Sequence, residues 1–99
     1  MLKKLASALI TPILFSYKTG HFKSAINQKA ISNTGSAIPW LTYPAIDFLQ
    51  RRDFSNSDIL EFGGGQSTVY WSHVANSVTC FEENHTWSKY IDLNTGENT

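Results

Sequence analysis

Apolar residues repeat along this chain with two periods, and the change of period divides it into elements. Near the start, Leu2, Leu5, Ala6, Leu9, Ile10, Ile13 and Leu14 fall on the i, i+3, i+4, i+7 template. One helical face carries that spacing. Pro12 interrupts the run and is expected to kink or end the helix. Residues 18–36 are polar and mixed, with turn chemistry at Thr19-Gly20 and Asn33-Thr34-Gly35-Ser36. A weakly patterned helix is expected over residues 23–31. Further on, Thr42 is placed to cap a helix, with Pro44 in its first turn. Ala45, Ile46, Phe48 and Leu49 give that helix an apolar face. Asp47 near its start and Arg51-Arg52 near its end suit the helix dipole. After a loop at residues 53–57, residues 59–62 read as a strand. Val69, Trp71, Val74 and Ala75 then follow a helical period, ending at Asn76-Ser77. Val78-Thr79-Cys80-Phe81 reads as a second strand. Asn84 or Thr86 is expected to cap a last helix carrying Trp87, Tyr90 and Ile91. Residues 94–99 have no apolar content and are the one stretch where disorder is expected. The order helix, strand, helix, strand, helix is the first half of a doubly wound α/β sheet. Residues 1–36 form an N-terminal helical extension to it, and residues 37–99 form the α/β part.

Composition narrows the picture. Ninety-nine residues suit one small domain. Eight basic residues balance eight acidic ones, so no nucleic-acid scaffold is indicated. Cys80 is the only cysteine, which excludes an intrachain disulfide. His21, His73 and His85 are far apart in sequence, and no pair has the spacing of metal ligands. Lys3-Lys4 before the apolar run superficially resemble a signal peptide, but no small-residue cleavage site follows. The run is too short and interrupted to span a bilayer. A packing helix is therefore expected, ahead of a membrane-surface helix, a signal or an anchor. Membrane association is not expected, and a cytoplasmic location is. Asn84-His85-Thr86 has the form of a glycosylation sequon and is read as chance.

The chemistry concentrates at Glu61-Phe62-Gly63-Gly64-Gly65-Gln66-Ser67-Thr68. A strand runs into an acidic residue, a turn almost without side chains, and a helix start. Glycine lets a ligand approach the backbone, and a helix start presents unpaired N–H groups. Three cofactor classes use such a turn. A phosphate-binding P-loop needs a lysine and a Ser/Thr directly after its last glycine, whereas Gln66-Ser67 follows Gly65. A dinucleotide fingerprint needs a third small residue where Thr68 stands. The third pattern is acidic-x-Gly-x-Gly with an acid at the end of the next strand. Glu61, Gly63, Gly65 and Glu82 meet it. It suits S-adenosylmethionine, which has no pyrophosphate, carries a cationic amino group and offers two ribose hydroxyls.

Asp58-Ile59-Leu60-Glu61-Phe62-Gly63-Gly64-Gly65-Gln66-Ser67-Thr68 resembles motif I of the class I S-adenosylmethionine-dependent methyltransferases. Upstream, Pro39-Trp40-Leu41-Thr42-Tyr43-Pro44 resembles a segment found in a bacterial branch of small members. Phe81-Glu82 and Trp87 extend the match downstream, so it covers residues 35–91. The resemblance implies a Rossmann-like sheet. It also implies that Gly63, Gly64 and Gly65 pass under the methionine portion, and that Glu61 faces its amino group directly or through water. Glu82 would accept from the ribose hydroxyls, with Glu83 as the alternative. Ser67 and Thr68 would donate to the cofactor carboxylate or cap the helix. Trp40 and Tyr43 would form part of a lid, or simply pack.

The family implies further strands that carry the acceptor site. The chain is accordingly expected to be an incomplete, N-terminal fragment, inactive and poorly soluble alone, with the methyl acceptor and catalytic base unassigned. Two other readings stay open. One is a nucleotide- or dinucleotide-binding α/β fragment. The other is a non-enzymatic membrane-surface or interaction module built on the first helix.

Overall fold

The computed structural model describes all of residues 1–99 and contains five helices and two strands. They run in the order α1 (Leu2–Thr19), α2 (His21–Asn27), α3 (Tyr43–Gln50), β1 (Asp58–Phe62), α4 (Gln66–Val74), β2 (Ser77–Phe81) and α5 (His85–Asn94). The chain divides into two units, Met1–Ser36 and Ala37–Thr99.

In the first unit, α1 is continuous through Pro12. Of the two expected effects, an end to the helix does not occur. Proline costs a helix one backbone hydrogen bond and a clash with the preceding turn, and the residues around it still hold helical geometry. No residue of α1 is buried, so the expected packing helix is not what forms. α1 ends at Gly20, which separates it from α2. α2 starts and stops earlier than residues 23–31. Gln28 turns left-handed, with φ 52°. Ser24 Oγ accepts from the Ile31 amide (3.0 Å) and donates to the Ile31 carbonyl (2.9 Å), folding the chain back past the helix end.

The second unit is mixed α/β around a two-stranded parallel sheet. The register pairs Asp58 with Ser77, Leu60 with Thr79, Glu61 with Cys80 and Phe62 with Phe81. The near ends of both strands are tied through Asp58. Its Oδ1 accepts from Asn76 Nδ2 (2.8 Å) and Ser77 Oγ (2.7 Å). These bonds hold the Asp58 carboxyl below its ordinary pKa, the Ser77 hydroxyl contributing most. The crossover from β1 to β2 runs through α4, as a parallel pair requires.

Strand alternation sends Ile59, Glu61, Val78 and Cys80 to one face and Leu60, Phe62, Thr79 and Phe81 to the other. The first face lies against the helices: Thr68 of α4 reaches Glu61 and Cys80. The second face is open, with Phe62 78 % exposed and stacked on Phe81 at 5.5 Å. The core comprises Ile38, Ile46, Val69, Tyr70, Val78 and Ile91. Each such aliphatic side chain contributes about 1.5–3 kcal/mol by leaving water.

Both expected caps form. Thr42 Oγ1 accepts from the Ala45 amide at 3.4 Å, and Asn84 Oδ1 from the Trp87 amide at 3.1 Å. The polar tail does not run loose as expected. It returns to the sheet, where the Val78 amide donates to the Asn98 carbonyl at 2.8 Å. Asn98 Nδ2 donates to the Ser72 carbonyl at 2.9 Å. The Asn98 backbone carbonyl and side-chain amide thus secure a segment that has no apolar anchor.

Candidate functional site

The turn after β1 is built from three glycines with different tasks. Gly63 has φ +81°, a left-handed conformation that other residues rarely adopt, and the space beside it is open. Its amide donates to the Phe81 carbonyl at 2.8 Å, which continues the sheet one residue beyond β1. Gly64 instead makes a close approach. A Cβ there would strike the Ile91 side chain and lie 2.7 Å from Cys80 Sγ. Gly65 leads into α4, in ordinary contact range of the Trp87 ring.

Two carboxylates hold this turn. Glu82, just past β2, accepts from the Gly64 amide at 2.5 Å through one oxygen and from the Asn84 amide at 2.7 Å through the other. These backbone donors, Asn84 first, keep its pKa below the ordinary glutamate value. Glu82 therefore stays anionic and fixed in orientation. A carboxylate offers about four acceptor positions, so acceptor capacity remains for a ligand. Glu83 is exposed and makes no such link to the turn, so the acid that meets the glycines is Glu82.

Glu61 lies on the helix-covered face, and both its oxygens are engaged. One accepts from the Ser67 hydroxyl, the other from Thr68 Oγ1 at 2.5 Å. Thr68 is fully buried, and its hydroxyl also accepts from the Gly65 amide at 3.1 Å. Of the two roles open to Thr68, capping is the one it plays; its hydroxyl faces protein on every side. Cys80 Sγ lies 3.7 Å from that hydroxyl. Burial, with the nearby Glu61 and Glu82 charges, pushes the Cys80 thiol up. A neutral thiol is a poor nucleophile, and Cys80 serves as a small packing group.

All seven residues singled out in the sequence thus meet in two linked clusters: Gly63, Gly64 and Glu82 at the turn, and Glu61, Gly65, Ser67 and Thr68 beneath it. Three further groups belong with them, in roles that sequence reasoning did not assign. Tyr90 Oη donates to Gln66 Oε1 at 2.6 Å, fastening α5 to the first residue of α4. The Trp87 ring stands against Gly65 and edge-on to Tyr90 at 5.5 Å. The Asn84 amide completes the seat of Glu82. The i, i+3 spacing of Trp87 and Tyr90 was the available signal, because it places both rings on one side of α5. Trp40, by contrast, is 92 % exposed and is not a packing residue. Beside Glu82, a small pocket of about 130 Å³ is lined by Cys80, Glu82, Ser88, Ile91, Asp92 and Thr99.

No group of histidine, cysteine and acidic side chains is arranged to hold a metal ion. No helix is long and apolar enough to cross a membrane. No protein-family model, curated protein or solved structure matches the chain.

Proposed function

We propose that residues 37–99 form the cofactor-binding part of a class I S-adenosylmethionine-dependent methyltransferase, with a Rossmann-like sheet built on β1 and β2. The observation that carries this reading is the bond from the Gly64 amide to the Glu82 carboxylate at 2.5 Å. It brings a strand-end acid onto a glycine turn, at the ends of two adjacent parallel strands, where open α/β sheets bind ligands.

The donor set fits the cofactor. Glu82 is anionic, fixed by backbone amides that include those of Gly64 and Asn84, and keeps acceptor capacity for a ribose hydroxyl. Gly63 leaves open space beside the turn for the methionine portion. Glu61 places its negative charge beneath the turn, where it favours a cationic amino group, and it braces the start of α4 through Ser67 and Thr68. When bound, the cofactor supplies an electrophilic methyl group on sulfur. The contribution of these residues is to hold and orient it, which is the main catalytic resource in an in-line displacement. None of them is assigned to the acceptor or to a general base.

Calorimetric titration of the chain tests the reading. S-adenosylhomocysteine should bind and NAD should not, and Glu82→Ala should weaken binding at least about tenfold, as for loss of a charged acceptor. Preferential binding of NAD, or binding indifferent to Glu82, would overturn it.

A further inference from the structure

The cofactor reading leaves α1 without a task. α1 is 18 residues long, about 27 Å at 1.5 Å per residue. None of it is buried, and Leu9, at its centre, is 74 % exposed. Advancing 100° per residue, Leu2, Leu5, Leu9, Ile10, Ile13 and Tyr17 fall within one arc. Lys4, Ser7, Thr11 and Lys18 occupy the opposite side, bordered by Leu14 and Phe15, and Lys3 flanks the apolar arc. Ser7 and Thr11 hydroxyls bond each other at 3.4 Å along that polar side. Because Pro12 leaves the helix continuous, the apolar arc runs its whole length.

Charge identifies what the arc meets. The first 36 residues hold Lys3, Lys4, Lys18, Lys23 and Lys29 and no acidic residue. All eight acidic residues stand at position 47 or later, where only Arg51, Arg52 and Lys89 offset them. A neutral total therefore conceals a strongly basic N-terminal unit. A second copy of α1 is a poor occupant, since two such helices bring like charges together with no acid to pair them. An anionic bilayer surface satisfies both features at once: acyl chains for the arc and phosphates for the lysines.

We propose that α1 lies in the plane of an anionic membrane surface, its apolar arc in the acyl boundary and Lys3, Lys4 and Lys18 among the lipid phosphates. Insertion stays interfacial, as the helix is not apolar enough to cross. This inference is independent of the cofactor site, and neither depends on the other.

Flotation of the full chain with vesicles tests it, because aggregated protein does not float. The chain should float with vesicles of equal parts phosphatidylcholine and phosphatidylglycerol, and bind pure phosphatidylcholine about tenfold more weakly. Added salt should weaken the first interaction. Leu9→Glu with Ile13→Glu should abolish flotation while circular dichroism keeps its helical content, since both side chains are exposed. Lys3→Ala with Lys4→Ala should remove most of the preference for the anionic vesicles. Failure to float, equal binding to both vesicles, or flotation unaffected by the two glutamates would overturn the proposal. Self-association in solution without flotation would overturn it in favour of a second copy.

Discussion

The Gly64 amide donates to the Glu82 carboxylate across eighteen positions of sequence. That contact makes a loop and a strand end into one object. Glu82→Gln keeps the shape and loses the charge. The variant should fold, yet bind S-adenosylhomocysteine at least about fivefold more weakly, the scale of weakening a charged hydrogen bond to a neutral one. Calorimetry checks this, with the near-UV spectrum as the fold control.

Acid should loosen the sheet in a definite window. The folded pKa values of Asp58 and Glu82 lie below their ordinary values, because each accepts hydrogen bonds as an anion. The stability they contribute is complete above the unfolded pKa and is lost as pH falls through the lower folded value. Urea midpoints followed from neutral to acid pH should drop there. Asp58→Asn with Glu82→Gln should flatten that drop. Solvent screening keeps the effect small, since both carboxylates are accessible.

The adjacent glycines should respond differently to the same change. Gly64→Val forces atoms into Ile91 and Cys80 and should destabilise the second unit by about 1–3 kcal/mol or more, as overpacking does. Gly63→Val meets open space, so its cost is the left-handed backbone alone, about 1–2 kcal/mol. Its main effect should be lost cofactor affinity. Urea denaturation and calorimetry on both variants separate the two roles.

Thr68→Val removes a hydroxyl and keeps the shape. It leaves the Gly65 amide without its acceptor and Glu61 short of a donor. A loss of about 1–3 kcal/mol in unfolding free energy is expected, the cost of unsatisfied buried groups. Ser67→Ala, at the less buried partner, should cost less.

Sequence periodicity reached the second unit well and the first unit poorly. β1, α4, β2 and α5 were legible because each combines its own hydrophobic period with a glycine, asparagine or threonine at its boundary. The roles of Thr68 and Glu61 were ambiguous in sequence. A helix-start hydroxyl caps or binds equally well until its burial is known, and here burial decides for the cap. Pro12 misled because a local rule weighs the lost hydrogen bond and does not see the residues on either side. Asn98 gave no signal at all. Its partners, Ser72 and Val78, lie at least twenty positions away, and no local pattern encodes such a pairing.

That return of the tail gives the sheet a handed edge. Asn98 occupies the outer margin of β2 at Val78, while β1 has β2 on one side and no strand on the other. The margin along Asp58–Phe62 is therefore the freer of the two for backbone that adds to this sheet, since an unpaired strand edge is a template for pairing.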